Sequence, residues 1–260
     1  MNDNASGLFL EERRKKIYSI LERNRRATIT ELTEGIEIGE ATIRRDLIAL
    51  EKKGLIKRTH GGAILADCAL DESIIKLRET SNTDKKEAIA AAMAKSITDG
   101  EALFLDGGTT TQLVARAIKS KKNLVVITNS LNVASEIANT NGNTVLLTGG
   151  ELRTVTNALI GPLATTCIKQ FRADHTILGM SSLIPDEGFF TVNQYEAEIK
   201  RTMIGRGKKN TIVMDSTKIN KVVFSFVCGF EQIDQLIIDD GVSPQIVEAL
   251  EKQGVDIIVV

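Results

Sequence analysis

Two groups of residues in this 260-residue chain have the types and spacing to do chemistry. The first is Thr42, Arg44 and Arg45, within the stretch Gly39 to Gly54. Ile43, Leu47 and Leu50 recur there at i, i+4 and i+7, so they share one helical face and should be buried. The threonine and the two arginines lie off that stripe. Gly39 can serve as N-cap, and Gly54 sits where a left-handed C-terminal residue is favoured. The predicted helix has an apolar back and an Arg-Arg front. Such a front suits a DNA groove, where Arg reaches guanine O6 and N7 or phosphate, and Thr reaches phosphate or a thymine methyl. Taken alone, the same residues also describe an ordinary surface helix with solvated charges.

The second group is five polar segments, each directly after an apolar run. They are Asp106-Gly107-Gly108-Thr109-Thr110-Thr111, Thr128-Asn129-Ser130, Thr148-Gly149-Gly150, Gly179-Met180-Ser181-Ser182 and Asp215-Ser216-Thr217-Lys218. In open α/β sheets, ligands gather beyond the C-terminal ends of the strands. Glycines allow close backbone approach, and successive amides and hydroxyls at a helix N-terminus favour a phosphate. Any one loop reads equally well as ordinary connecting chain. Five on one side of a sheet point to a small phosphorylated polyol. The expected effector-binding set is Asp106, Gly107, Gly108, Thr109, Thr110, Thr111, Asn129, Gly150, Asp215 and Lys218. Phosphate is assigned to the threonine loop, and sugar hydroxyls to Asp106 and Asp215. No G-x-x-x-x-G-K-[ST] phosphate loop is present, and Gly205-Arg206-Gly207 follows no strand. No G-x-S-x-G nucleophile elbow occurs. His60 and His175 are the only histidines, so no two-His metal set exists, and neither metal nor cofactor is expected.

The elements that must hold these residues follow from pattern and charge. Apolar residues make up 42% of the chain, enough for a sizeable core. Net charge is −1, but Met1 to Gly62 carries 13 Lys and Arg against 10 Asp and Glu, and the remainder 20 against 24. A basic head on an acidic body fits DNA at one end and another partner at the other. Three isolated cysteines, Cys68, Cys167 and Cys228, have no metal or redox spacing, which predicts a reduced, cytoplasmic chain. No apolar run approaches a membrane span, and no signal-peptide pattern is seen. Trp is absent and aromatics are few, which argues against base stacking on single strands.

In chain order, a helix is predicted from about Leu10 to Asn24, with Ile17, Ile20 and Leu21 inward. Thr30 is expected to cap a short second helix carrying Leu32 and Ile36. A turn at Glu37 to Gly39 leads into the Arg-bearing helix, which is helix-turn-helix spacing. Leu55 to Thr59 reads as a strand whose Lys57 and Arg58 would touch the DNA backbone. Gly61-Gly62 would turn it into a wing, with His60 either near phosphate or simply exposed. The predicted domains are a DNA-binding head over 8–63, a linker over 64–83 and an α/β body over 84–260. A helix capped by Thr83 or Asp84 should open that body. Strands are predicted at 102–105, 124–127, 145–147, 176–178, 211–214, 236–238 and 255–260. Helices are predicted near 112–118, 131–138, 163–170, 195–204 and 244–252. The alternation implies a mainly parallel sheet covered on both faces.

Thr42-Ile43-Arg44-Arg45-Asp46-Leu47, Leu50-Glu51 and His60-Gly61-Gly62-Ala63 closely resemble the DeoR family of bacterial transcription regulators. In the body, Asp106 to Thr110, Thr128-Asn129-Ser130, Gly149-Gly150, Glu196-Ala197 with Lys200, and Asp215-Ser216 with Lys218 resemble that family's sensor motifs in order. The resemblance implies a winged helix-turn-helix head and a sugar-phosphate-sensing body similar to the ribose-5-phosphate isomerase and glucosamine-6-phosphate deaminase folds. It implies a repressor of a carbohydrate catabolic operon, released from double-stranded operator DNA by a phosphorylated sugar. There are two departures from the pattern. Ile38-Gly39 stands where Val-Ser is common, which removes a hydroxyl. Ser181-Ser182 stands where the similar isomerases carry acidic residues, and serine is a poor general base without an activating neighbour. Glu196 and Lys200 have the i, i+4 spacing of a plain helical ion pair. One head reads too few base pairs for genomic specificity, so a homo-oligomer on repeated half-sites is expected. Two alternatives stay open from residues alone: a sugar-phosphate isomerase or deaminase with an added head, and constitutive DNA binding with the body serving assembly.

Overall fold

The computed structural model describes residues 10–24, 26–52, 55–59, 61–65 and 80–260, so Gly54, His60, Cys68 and the connector 66–79 lie outside the described residues. The chain divides into two compact units, Met1–Thr80 and Ser81–Val260.

The first unit contains α1 (Leu10–Asn24), β1 (Arg26–Thr28), α2 (Ile29–Ile36), α3 (Glu40–Lys52), β2 (Ile56–Thr59) and β3 (Gly62–Leu65). Its sheet is antiparallel in the order β1-β3-β2. Thr28, not Thr30, caps α2. Thr28 Oγ1 accepts from the Glu31 amide at 3.2 Å, and Glu31 Oε2 accepts from the Thr28 amide at 2.7 Å. This reciprocal capping box satisfies two orphan donors, which Thr30, inside the helix, could not do. Glu37 ends α2 in the left-handed region. The Gly39 carbonyl then accepts from the Thr42 and Ile43 amides to start α3. Ile17, Leu21, Leu32, Ile43, Leu47 and Leu50 are buried together, so the stripe on α3 faces the core as its spacing predicts.

The wing's returning strand, β3, runs through Leu65, two residues into the stretch expected as linker. Its register sets Gly62 opposite Thr28. A Cβ at Gly62 would lie 2.1 Å from the Ala27 carbonyl oxygen, whereas one at Gly61 meets nothing within 4 Å. Gly62→Ala is therefore expected to destabilise the head by about 1–3 kcal/mol, measured by chemical denaturation, while Gly61→Ala stays near neutral.

The second unit opens with α4 (Thr83–Lys95). Neither expected side chain caps it: Thr83 is already helical, and Asn82 takes the cap position in a left-handed conformation. Seven parallel strands follow: β4 (Ala102–Leu105), β5 (Val125–Thr128), β6 (Thr144–Leu147), β9 (Ala173–Leu178), β12 (Gly207–Met214), β14 (Gln235–Ile238) and β15 (Asp256–Val259). They are ordered β15-β14-β12-β9-β4-β5-β6. Each corresponds to one of the seven predicted apolar runs. Alternate residues pack into two cores. Leu103, Leu105, Val126, Ile177, Val213 and Ile237 meet α4, α5 (Thr109–Ala117) and α6 (Leu131–Ile137). Phe104, Ile127, Leu178, Ile212, Met214 and Leu236 meet α7 (Pro162–Lys169), α8 (Gln194–Ile204) and α9 (Pro244–Glu251). Burial on both faces is why the five inner strands read as continuous apolar runs, while the edge strands β6 and β15 are exposed at both ends.

Two short structures escaped the sequence reading. One is the hairpin β7 (Glu151–Arg153) with β8 (Ala158–Ile160). The other is an antiparallel sheet of β10 (Ser182–Ile184), β11 (Gly188–Thr191) and β13 (Ser225–Cys228). Strand order reverses at β4, between β5 and β9, so a topological switch point lies there. Among the described residues, no helix is long and apolar enough to cross a membrane.

Candidate functional site

The head presents α3 as its charged face. Arg44 and Arg45 are exposed, and Thr42 is half-buried. Arg44 lies back along the helix, with Nη2 2.6 Å from Glu40 Oε1. Behind this front, buried Asp46 accepts from Arg13 Nε at 2.5 Å and from Arg14 Nε at 3.0 Å. Both arginines belong to α1, so one carboxylate pins the two helices together. Arg58 is tied to the end of α3: its amide donates to Glu51 Oε1 at 2.8 Å and its Nε to Glu51 Oε2 at 2.5 Å. Those bonds from Arg58 hold the Glu51 carboxyl below the usual range. Lys57 lies on β2 beside it in sequence.

In the second unit, the polar loops converge where the strands end. Gly108 precedes α5, whose first residues are Thr109, Thr110 and Thr111. Thr111 is buried, and its hydroxyl donates to the Gly108 carbonyl at 3.0 Å, bracing the turn. Asn129, also buried, donates through Nδ2 to the Leu159 carbonyl at 3.1 Å. Asn129 Oδ1 has no hydrogen-bond partner among the described residues. Gly150 holds φ at 118°, and a Cβ there would lie 2.5 Å from the Ile160 carbonyl oxygen. Asn129 and Gly150 thus both meet β8. Asp215 and Lys218 sit two strands from β4, beyond β12. Asp215 Oδ1 accepts from the Asn82 amide group at 3.2 Å and from the Thr217 hydroxyl. Neighbouring Asp239 accepts from Lys85 Nζ and the Ser216 amide, each at 2.5 Å.

The decisive match is to family domains: residues 13–68 fit a DeoR-like helix-turn-helix domain and residues 81–240 the DeoR C terminal sensor domain. The chain belongs to the DeoR family. This DeoR-family regulator is 34% identical to the HTH-type transcriptional regulator GlpR of Haloferax volcanii, over 95% of this chain and 96% of that one. It is 32% identical to the Glycerol-3-phosphate regulon repressor of Escherichia coli K12, over 88% and 90%. A ribose 5-phosphate isomerase A from Methanocaldococcus jannaschii aligns with TM-score 0.39 and 14% identity, over 54% of this chain and 56% of that one. The DeoR-family chain is a DNA-binding transcription regulator rather than an enzyme.

The sensor domain of this DeoR member differs from expectation at α8. Glu196 and Lys200 do not pair with each other. Lys200 is buried and its ammonium binds Asp106 Oδ2 and, at 2.8 Å, the Gly179 carbonyl. Asp106 Oδ1 accepts from the Gly179 amide at 3.0 Å. Lys200 thus joins the ends of β4 and β9 at the switch point, and both oxygens of Asp106 already have partners. Glu196 instead accepts from the Thr156 hydroxyl at 2.9 Å and lies 3.8 Å from Arg153 Nη1. That Arg153 nitrogen is buried and makes no hydrogen bond among the described residues. Periodicity could not show either partnership, because the hairpin and the strand ends lie far away in sequence. Ser182 is buried with its hydroxyl on the Lys221 carbonyl, and Ser181 shares a 3.3 Å contact with Thr191. The serine loop therefore begins the small sheet.

His175, on β9, is also buried, with Nε2 2.7 Å from Thr211 Oγ1. Burial, then Lys209, pushes its pKa down to about 4. Between pH 6.5 and 4 the unfolded chain binds a proton that the folded one refuses, so stability present at neutral pH is lost as pH falls. The loss attributable to His175 should reach at most roughly 3 kcal/mol. Urea unfolding of wild type and His175→Gln from pH 7 to 4 should show a shallower decline in the variant. Parallel declines would remove His175 as a cause.

Proposed function

We propose that this DeoR-family protein represses a carbohydrate catabolic operon and leaves its operator when a phosphorylated sugar binds beyond the ends of β4, β5 and β12. The observation that carries the reading is the pair of unsatisfied polar groups beyond the strand ends beside the switch point. There the N-terminus of α5 offers amides for an anion, and Asn129 Oδ1 offers a buried acceptor in want of a hydroxyl donor. Gly107, Gly108, Thr109, Thr110 and Thr111 would cradle phosphate, and Asn129 and Gly150 would border the polyol. Asp215 and Lys218 would close the far side. Arg153 adds a partly buried cation, with one buried nitrogen, that composition and spacing did not single out. Asp106 acts by holding Lys200 rather than by binding a hydroxyl. One relative is named for the glycerol-3-phosphate regulon, and glycerol 3-phosphate is itself a phosphorylated polyol. In the head, Thr42, Arg44 and Arg45 would enter the major groove, with Lys57 and Arg58 on the backbone. The protein works in the cytoplasm as a homo-oligomer on repeated half-sites.

The test is capture of genomic fragments by the purified protein at moderate salt, repeated with a panel of sugar phosphates. Release of a discrete fragment by one compound supports repression with induction. Specific capture that no compound alters leaves constitutive binding as the better account, since a ligand shifts an equilibrium only by binding the two states unequally.

A further inference from the structure

The stretch Val222 to Phe230 contains no charged side chain until Glu231, in a chain that is 26% charged. It includes β13, an edge strand of the β10-β11-β13 sheet. Ser225 and Val227 point inward and are buried, while Phe226 is 47% exposed and Phe224, two residues before it, 84%. Val222 is 72% exposed. Phe190 of β11 stands opposite Phe226, with ring centroids 5.4 Å apart and edge to face. The solvent side of an antiparallel sheet is ordinarily polar. Here it is aromatic. Val192, which follows β11, is a further 41% exposed.

We propose that this face joins two copies of the chain. It deepens the homo-oligomer reading by assigning that contact a surface. The exposed parts of these residues amount to about 500 Å² of mainly apolar surface, at the upper end for a lone monomer. Pairing two such patches about a two-fold axis buries about 1,000 Å², the level at which a specific interface becomes stable. Charge also favours a second copy. A two-fold contact brings each patch onto itself, and a charged patch would repel its own image, whereas this one has no charge in its strand. The patch is anchored to the sensor: Arg201, next to Lys200 on α8, donates through Nη1 to the Phe226 carbonyl at 2.5 Å.

Sedimentation of the full chain at micromolar concentrations tests this. Wild type is expected to be at least dimeric. Val222→Ser/Phe224→Ser should raise the dissociation constant about thirtyfold or more, with the circular dichroism of the folded chain unchanged because both side chains are exposed. Leu163→Ser, equally exposed but on α7, should leave assembly intact. If the double variant loses that folded signal, Phe224→Cys gives a second readout, a disulfide-linked dimer on mild oxidation that Leu163→Cys does not give. A monomeric wild type overturns the homo-oligomer reading and this surface together. A dimer unaffected by the double variant, or absence of the Phe224→Cys cross-link, overturns the surface alone.

Discussion

Asp106→Ala should lower the unfolding free energy of the second unit by about 3–5 kcal/mol, because it strands a buried ammonium. Asp106 and Lys200 are almost fully buried, and Lys200 has its carboxylate partner at the end of a different element. Removing one partner of such a pair leaves a charge that water cannot reach. Removing both is far cheaper, since desolvating two ions offsets much of their attraction. Asp106→Ala/Lys200→Met should therefore be clearly more stable than Asp106→Ala. It should still fall short of wild type, because the Gly179 amide and carbonyl both lose their partners. Urea unfolding of the full chain, with the transitions of the two units resolved, provides the comparison. Equal losses in the single and double variants would show that the two charges are not energetically coupled. On the proposed function, the double variant keeps operator binding and loses its response to sugar phosphate.

The second large effect separates reading from folding on α3. Leu47→Ala should cost about 2–5 kcal/mol by opening a cavity in the head's core, and operator binding should fall with it. Arg45→Ala changes an exposed residue, so stability should stay within about 0.5 kcal/mol of wild type. Its operator affinity should nonetheless drop by about 1–3 kcal/mol, or roughly five- to 150-fold. Arg44→Ala should behave alike, less the small helical contribution of its Glu40 pair, about 0.3–0.5 kcal/mol. Denaturation midpoints and fluorescence anisotropy on a captured operator measure the two effects separately. Intact operator affinity in Arg45→Ala and Arg44→Ala would remove α3 from the groove. Asp46, in the same motif, belongs with Leu47: its loss frees Arg13 and Arg14 from α3 and should be read in stability first.

Local chemistry by itself determined a good deal of this protein. The seven apolar runs became the seven parallel strands: the inner five are buried on both faces, which favours apolar residues at nearly every position, and the edge strands β6 and β15 kept enough of the same pattern to be read within four or five residues. The stripe Ile43, Leu47 and Leu50 settled which face of α3 is buried, and so which side chains remain outside. The Thr28 cap was equally local, since its Thr-x-x-Glu box stands in the chain, and Thr30 was simply the wrong threonine. Tertiary structure alone decided the rest. Strands of three or four residues, such as β3, β7, β8 and β10, are too short to show a period, and their pairing comes from partners elsewhere. Lys200 could have paired with Glu196 one turn away. It binds Asp106, 94 positions earlier, because the strand order places the end of β4 under α8. Asp46 likewise meets arginines 33 and 32 positions back. Sequence spacing reports which residues share an element. Which charges share a buried site depends on strand order and helix packing, and those are settled only when the whole chain has folded.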